Sequence, residues 1–284
     1  MVLAVESRPD PARSGAIAFV LGGGGVLGAN EVGMLQALVA AGIKPDLVLG
    51  TSVGAVNGAV LASDPTEAAV ERLTALWHSN AGGIWRTSPV RRVRAVARTR
   101  TSLQTAGPLR ALLVEHLGDV RIEDLAVPFE CCAASIERAA EHWFDRGPLV
   151  DAVLASCAVP GLYPPVEVNG EHYLDGGLVN SIPVGRAVER GATTVYVIQV
   201  GRVERQLTVP TRPWEVATVA FEIARRHRFA RDMAAVPPGI RVHVLPSGEA
   251  RAPTTGRARE AGAVAVRIAR AYDASAAYLA AQRT

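Results

Sequence analysis

Apolar and polar positions along this chain repeat with two different periods, and the alternation between them predicts an α/β protein. Ala16-Ile17-Ala18-Phe19-Val20-Leu21 is a continuous apolar run of the kind that a strand buried on both faces requires. After a glycine-rich stretch, Val32, Leu35, Leu38 and Val39 recur at helical spacing, and Gly42 follows as a stop signal. A second short run, Asp46-Leu47-Val48-Leu49, leads into Gly50-Thr51-Ser52-Val53-Gly54, and residues 55–62 read as a helix of small side chains. Further helices are expected over 67–78, 109–117, 149–157 and 183–190, and strands over 128–134, 194–200 and 241–245. Val166-Glu167-Val168, Asn169-Gly170 and Glu171-His172-Tyr173-Leu174 predict a hairpin, because Asn-Gly suits a type I′ turn. Amphipathic helices over 213–233 and 256–281 are expected to cover the sheet.

Composition narrows the class. The chain has 284 residues, 49% of them hydrophobic, which suits one large α/β unit with a substantial core. No stretch approaches the roughly 20 apolar residues of a membrane span. Residues 1–13 lack a basic region followed by an apolar one, so no export signal is expected there. Cys131, Cys132 and Cys157 show no metal-ligand spacing and are expected as reduced core thiols of a cytoplasmic protein. A net charge of +3 would allow a nucleic-acid role, but Lys44 is the only lysine among 30 basic residues, a bias that reflects genomic composition more than a phosphate footprint. No nucleic-acid partner, metal or cofactor is expected.

The candidate chemistry lies at strand ends. Gly50-Thr51-Ser52-Val53-Gly54 falls at a strand-to-helix turn, where glycine is needed on both sides of the serine because a Cβ there would clash with the bent backbone. Upstream, Gly22-Gly23-Gly24-Gly25-Val26-Leu27-Gly28 also joins a strand to a helix, and its amides can converge on an anion. A nucleotide P-loop would end in Gly-Lys-Ser/Thr, and no lysine stands there. A dinucleotide fingerprint fits Gly23, Gly25 and Gly28 but expects an acidic residue at the end of the next strand, where Gly50-Thr51-Ser52 stands instead. An oxyanion hole serving Ser52 is the favoured reading, since both turns would lie at the C-terminal ends of neighbouring parallel strands. Asp175-Gly176-Gly177 follows the hairpin directly.

These three motifs in this order, with Ala155-Ser156-Cys157-Ala158-Val159-Pro160-Gly161-Leu162-Tyr163-Pro164-Pro165 before the aspartate, resemble the patatin-like phospholipase family over about 16–190. The resemblance implies a three-layer α/β/α sandwich with a mostly parallel sheet and acyl-ester hydrolysis by a serine–aspartate dyad. Carried over by position, Ser52 is the nucleophile, Asp175 the base and Gly23, Gly24 and Gly25 the oxyanion loop, with Gly28, Gly50, Gly54, Gly176 and Gly177 supporting the motifs. Many bacterial members carry arginine before the last glycine of the loop; Leu27 stands there in this chain. Residues 1–14 are expected as a tail, 15–190 as the catalytic core, and 191–284 as strands and helices completing the same domain. The implied substrate is a phospholipid or another acyl ester; a small-ester or thioester hydrolase and a non-catalytic nucleotide- or lipid-binding protein are the alternatives. A Ser-Asp-His triad would nominate His243, but that residue falls within an apolar strand. An ordinary aspartate, with a pKa of about 3.9, is a weak base at neutral pH, so the site must tune it. The stretch 84–110 combines Trp and Val with Arg86, Arg91, Arg92, Arg94, Arg98, Arg100 and Arg110 and no acidic residue. It is expected to cover the site and touch the inner face of a membrane peripherally.

Overall fold

The computed structural model describes residues 15–79, 102–200, 206–248 and 257–282. In chain order the strands are β1 (Ile17–Leu21), β2 (Leu47–Thr51), β3 (Phe129–Ser135), β4 (Ala140–Phe144), β5 (Val166–Val168), β6 (Glu171–Asp175), β7 (Thr194–Ile198) and β8 (Arg241–Val244). The longer helices are α1 (Ala29–Ala40), α2 (Val53–Ser63), α3 (Glu67–Ser79), α4 (Gly107–Leu117), α5 (Leu149–Ser156), α6 (Val184–Glu189), α7 (Pro213–Ala234) and α8 (Arg257–Ala281). The sheet runs β5-β6-β3-β2-β1-β7-β8, with β4 paired to β3 off that path. The segment β3-β2-β1-β7-β8 is parallel, while β4, β5 and β6 are antiparallel.

Successive residues of β1 serve opposite layers, as the pleat demands. Phe19 and Leu21 join the apolar cluster that also contains residues of α1, α2, α3, α4, α5 and α8, whereas Ala18 and Val20 join the one containing Val184 and Ala187 of α6 and Phe229 of α7. Helices therefore cover both faces of a mostly parallel sheet, the three-layer α/β/α arrangement. The Asn-Gly turn of the β5–β6 hairpin has both residues at positive φ (52° and 81°), as type I′ requires. Strand β4 was not anticipated: its Glu141, His142 and Trp143 are only half-buried, so it lacks the apolar run that marks the central strands. Among the described residues, no helix is long and apolar enough to cross a membrane.

The topology brings two chain ends together. Cys131 pairs with Gly50 of β2 and with Phe144 of β4, so β2 and β4 lie on opposite edges of β3. Ala133 pairs with His142 of β4 and with Asp175 of β6, which puts β6 on the same edge as β2. Strand β2 runs along that edge as far as Thr51, opposite Cys132, and β6 occupies the next position with Asp175, opposite Ala133. Ser52 and Asp175 thus arrive from opposite directions at one point beside β3.

Helices α1 and α8 cross at backbone contact, because a Cβ on Gly33 would strike the Ile268 carbonyl and the Ala271 side chain. Intrinsic propensity alone makes Gly33→Ala a gain of about 1 kcal/mol. The crossing reverses the sign: we expect a loss of about 1–3 kcal/mol and a Tm lower by several degrees. Thermal unfolding of the variant measures it, and a raised Tm would mean that the two helices can part without cost.

Candidate active site

Ser52 lies between β2 and α2 with φ 56° and ψ −123°, a backbone state rarely adopted by residues other than glycine. The glycines around it have steric reasons. A Cβ on Gly50 would come within 2.6 Å of the Ala55 Cα and the Gly54 carbonyl oxygen, and one on Gly54 would strike the Leu21 carbonyl. The Ser52 amide donates to Ser156 Oγ at 2.9 Å, so the last residue of α5 braces the turn from below. The Thr51 hydroxyl donates to the Asn180 carbonyl at 2.8 Å, tying the same turn to the loop after Asp175. Ser52 is 5% exposed and Asp175 1% exposed.

Asp175 ends β6 and caps the short turn Gly176–Leu178, with Oδ1 accepting from the Gly177 amide at 2.7 Å. Its own amide donates to the Ala158 carbonyl at 2.9 Å, anchoring it to the segment after α5. A Cβ on Gly176 would strike the Cys132 carbonyl, so the turn needs glycine to lie this close to β3. Oδ2 has no partner in good hydrogen-bond geometry. The Ser52 hydroxyl is nonetheless near enough to act on the carboxyl. Burial pushes the Asp175 pKa up from 3.8 to about 6, against the lowering effect of that hydroxyl and of the Gly177 amide.

The glycine loop is held at its entrance. The Gly22 amide donates to the Ile198 carbonyl at 2.9 Å and the Gly23 amide to the Ser181 carbonyl at 3.0 Å. Gly23 was expected among the oxyanion donors, but its N–H is spent on Ser181, and what it contributes is close approach: a Cβ there would lie 3.0 Å from Ser181 Oγ and 3.6 Å from Ser52 Cβ. Gly24 accepts from the Leu27 amide at 3.2 Å through its carbonyl, and Gly25 has φ 55°. Among the described residues, the amides of Gly24 and Gly25 make no hydrogen bond and remain as the loop's available donors. Gly28 ends the loop against Trp77, whose Cζ2 would lie 2.6 Å from a Cβ at that position.

The other candidates separate from this constellation. His243 lies on β8, stacked on Tyr196 at 4.9 Å with its Nδ1 3.2 Å from the Tyr278 hydroxyl. Burial lowers its pKa, and it serves as a structural residue of the edge strand. Cys131, Cys132 and Cys157 are free, fully buried thiols, all with pKa values pushed up by burial. Among the described residues, no group of acidic, histidine and cysteine side chains could hold a metal ion. Of the stretch 84–110, residues 84–101 lie outside the described residues. The remainder packs locally, with Leu103 and Gln104 donating to the carbonyls of Gly161 and Leu162 and Arg110 ion-paired with Asp151. In the sequence Ser156 is one position of a motif, and its support of Ser52 is not legible there.

A strand-to-helix serine, a glycine loop at the neighbouring strand end and a buried aspartate thus converge at one place in the α/β/α sandwich. The family model for patatin-like phospholipase matches residues 19–188, and the chain belongs to that family. Over 197 residues it is 34% identical to lysophospholipase NTE1 of Candida glabrata, and over 191 residues 32% identical to the NTE1 lysophospholipase of Saccharomyces cerevisiae and to the patatin-like phospholipase domain-containing protein ZK370.4 of Caenorhabditis elegans. Each match covers 66% of this chain and 11–14% of the relative, so the chain corresponds to a small part of those proteins. The crystal structure of VipD from Legionella pneumophila has the same fold, with a TM-score of 0.50 and 16% identity over 95% of this chain and 67% of that one.

The Asp175 environment makes a stability prediction. Its pKa of about 6 in the folded protein exceeds the ordinary value of 3.8. As pH rises, the unfolded chain therefore ionises first. Folding carries no penalty below about pH 4, loses stability between about 4 and 6, and bears a full cost of about 3 kcal/mol above that window. Asp175→Asn should match wild type in Tm at pH 4 and exceed it at pH 8. A gap that does not change with pH would mean that burial leaves this carboxyl unperturbed.

Proposed function

We propose that the chain is a lipid acyl hydrolase that cleaves carboxylic esters through Ser52 and Asp175. The observation that carries this reading is the meeting of a strained serine turn with a buried carboxyl of raised pKa, beside two unengaged loop amides. Asp175 Oδ2 takes the Ser52 proton as Oγ attacks the ester carbonyl, and the amides of Gly24 and Gly25 receive the negative charge that develops on the carbonyl oxygen. Collapse expels the alcohol, which leaves with the proton from Asp175. Water then attacks the acyl-enzyme with Asp175 again as base, releasing the acid and restoring Ser52. A carboxyl with a pKa near 6 is a stronger base than an ordinary aspartate and is still ionised at neutral pH. The NTE1 relatives, being named lysophospholipases, favour a lysophospholipid as the ester, and the family, being named for phospholipases, a phospholipid.

Ser52→Ala and Asp175→Asn should each lower turnover of p-nitrophenyl acyl esters by at least about a thousandfold while keeping the fold. In the wild type, kcat/KM should rise with pH through about 6 as Asp175 ionises. A fluorophosphonate probe should label wild type and not Ser52→Ala; equal labelling or full activity in that variant would remove the reading. Lipid extracts incubated with wild type and Ser52→Ala then identify the ester.

Peripheral membrane contact through 84–110 belongs to the same proposal. Each arginine near an anionic surface contributes on the order of 1 kcal/mol, screened by salt. Replacing Arg91, Arg92, Arg94 and Arg98 with glutamine should abolish low-salt sedimentation with anionic liposomes, and unchanged binding would exclude this stretch as the contact.

A further inference from the structure

The glycine loop is held at its exit as well as its entrance. The Gly28 carbonyl accepts a hydrogen bond from Asn57 Nδ2 at 3.1 Å, and the second Nδ2 hydrogen goes to Glu31 Oε2 at 2.7 Å. Asn57 Oδ1 accepts from Trp77 Nε1 at 3.0 Å. Both donors of the amide and its oxygen are engaged, and the opposite orientation would set its NH2 against the indole N–H, so the arrangement has one solution. Asn57 and Glu31 are fully buried and Trp77 nearly so. Burial pushes the Glu31 carboxyl well above the usual carboxylate range, against the Asn57 hydrogen bond.

This cluster joins three helices at one residue. Glu31 stands in the first turn of α1, which the loop enters; Trp77 lies in the last turn of α3; and Asn57 lies on α2, the helix that starts immediately after Ser52. The loop is therefore pinned through Gly22 and Gly23 at one end and Gly28 at the other, with the amides of Gly24 and Gly25 unengaged between. The pin at Gly28 comes from α2, the helix that begins at the turn carrying Ser52.

We propose that Asn57 is a positioning residue for ester hydrolysis, holding the glycine loop in register with Ser52 through its hydrogen bond to the Gly28 carbonyl, with Glu31 and Trp77 fixing the orientation of its amide. This rests on the hydrolase reading of the same site. A transition-state contact is sensitive to displacement: a shift of about 1 Å can cost about a hundredfold in rate. Loss of the pin should act on kcat and spare KM, because the loop's amides bind charge that develops only in the transition state.

The test compares Asn57→Leu, Glu31→Gln and Glu31→Leu with wild type. In Asn57→Leu, kcat on a p-nitrophenyl acyl ester should fall about 10- to 100-fold with KM within about twofold, and fluorophosphonate labelling should slow in parallel. Glu31→Gln keeps an acceptor for Asn57 and should retain kcat, whereas Glu31→Leu should not. Should Asn57→Leu fail to fold, Trp77→Phe, which deletes the indole N–H and keeps an aromatic ring there, should lower kcat a few-fold. Amide hydrogen exchange over 23–28 reads the tether without substrate: it should quicken in Asn57→Leu or Trp77→Phe and stay at the wild-type rate in Glu31→Gln. Wild-type kcat in the Asn57 variant, or unchanged exchange in the loop, overturns the proposal. Wild-type protein that shows neither turnover nor labelling overturns the hydrolase reading instead, and the exchange comparison still decides the tether.

Discussion

The first turn of α2 lies directly against the backbone that ends β1, and the rest of the site depends on that contact. A Cβ on Gly54 would strike the Leu21 carbonyl and come within 2.8 Å of the Gly22 carbonyl oxygen. Only a glycine lets the helix come so near, and only that nearness brings the serine of one strand end beside the glycine loop of the next. The closeness has a conformational cost. Ser52 is held at positive φ, a state worth on the order of 1–3 kcal/mol of strain for a residue other than glycine. It persists because β2 is paired along both edges and because Ser156 accepts the Ser52 amide from below. Strain is thus concentrated where the surrounding sheet can enforce it.

Burial has a similarly double effect at Asp175. The desolvation that makes its ionised form costly to the folded state also makes it a better proton acceptor, and the Ser52 hydroxyl, with the Gly177 amide on Oδ1, keeps the shift moderate. A carboxyl buried with several donors would ionise easily and be too weak a base; one buried with none would stay protonated at neutral pH. One backbone amide and one hydroxyl place it between those limits. Under the proposed function, fold stability and reactivity are in tension at this position.

The central strands could be read from the chain because burial on both faces leaves a continuous apolar run, as at Phe19, Val20 and Leu21, and the hairpin because Asn169-Gly170 has few alternatives to a type I′ turn. Strand β4 escaped notice for the converse reason: it lies at the border of the sheet with Glu141 and His142 partly exposed, and polar alternation of that length is common in loops. Ser52, Asp175 and the glycines are visible as motifs because tight turns restrict residue choice locally. Which loop amides are free is not a local property. Gly23 is engaged by the carbonyl of Ser181, a residue far along the chain, and no pattern near Gly23 announces it. Glu31 and Asn57 were invisible in the same way, since a polar residue on a helix reads as solvent-facing until its partners on two other helices are placed around it.

Strands β2 and β6 join β3 end to end along a single edge, one stopping at Cys132 and the other at Ala133. Neither is hydrogen-bonded to the other, so β3 acts as a ruler against which two separate pieces of chain are measured. A slip of one residue between β6 and β3 would move Asp175 by about 3.3 Å and turn its side chain to the opposite face of the sheet. The hairpin's Asn169-Gly170 turn, at the far end of β6 from the aspartate, sets how β5 and β6 align, and the fit of that hairpin onto β3 sets where the carboxyl falls. Alignment of Ser52 with Asp175 is therefore a matter of counting residues along a backbone ladder, decided before either side chain has chosen a rotamer.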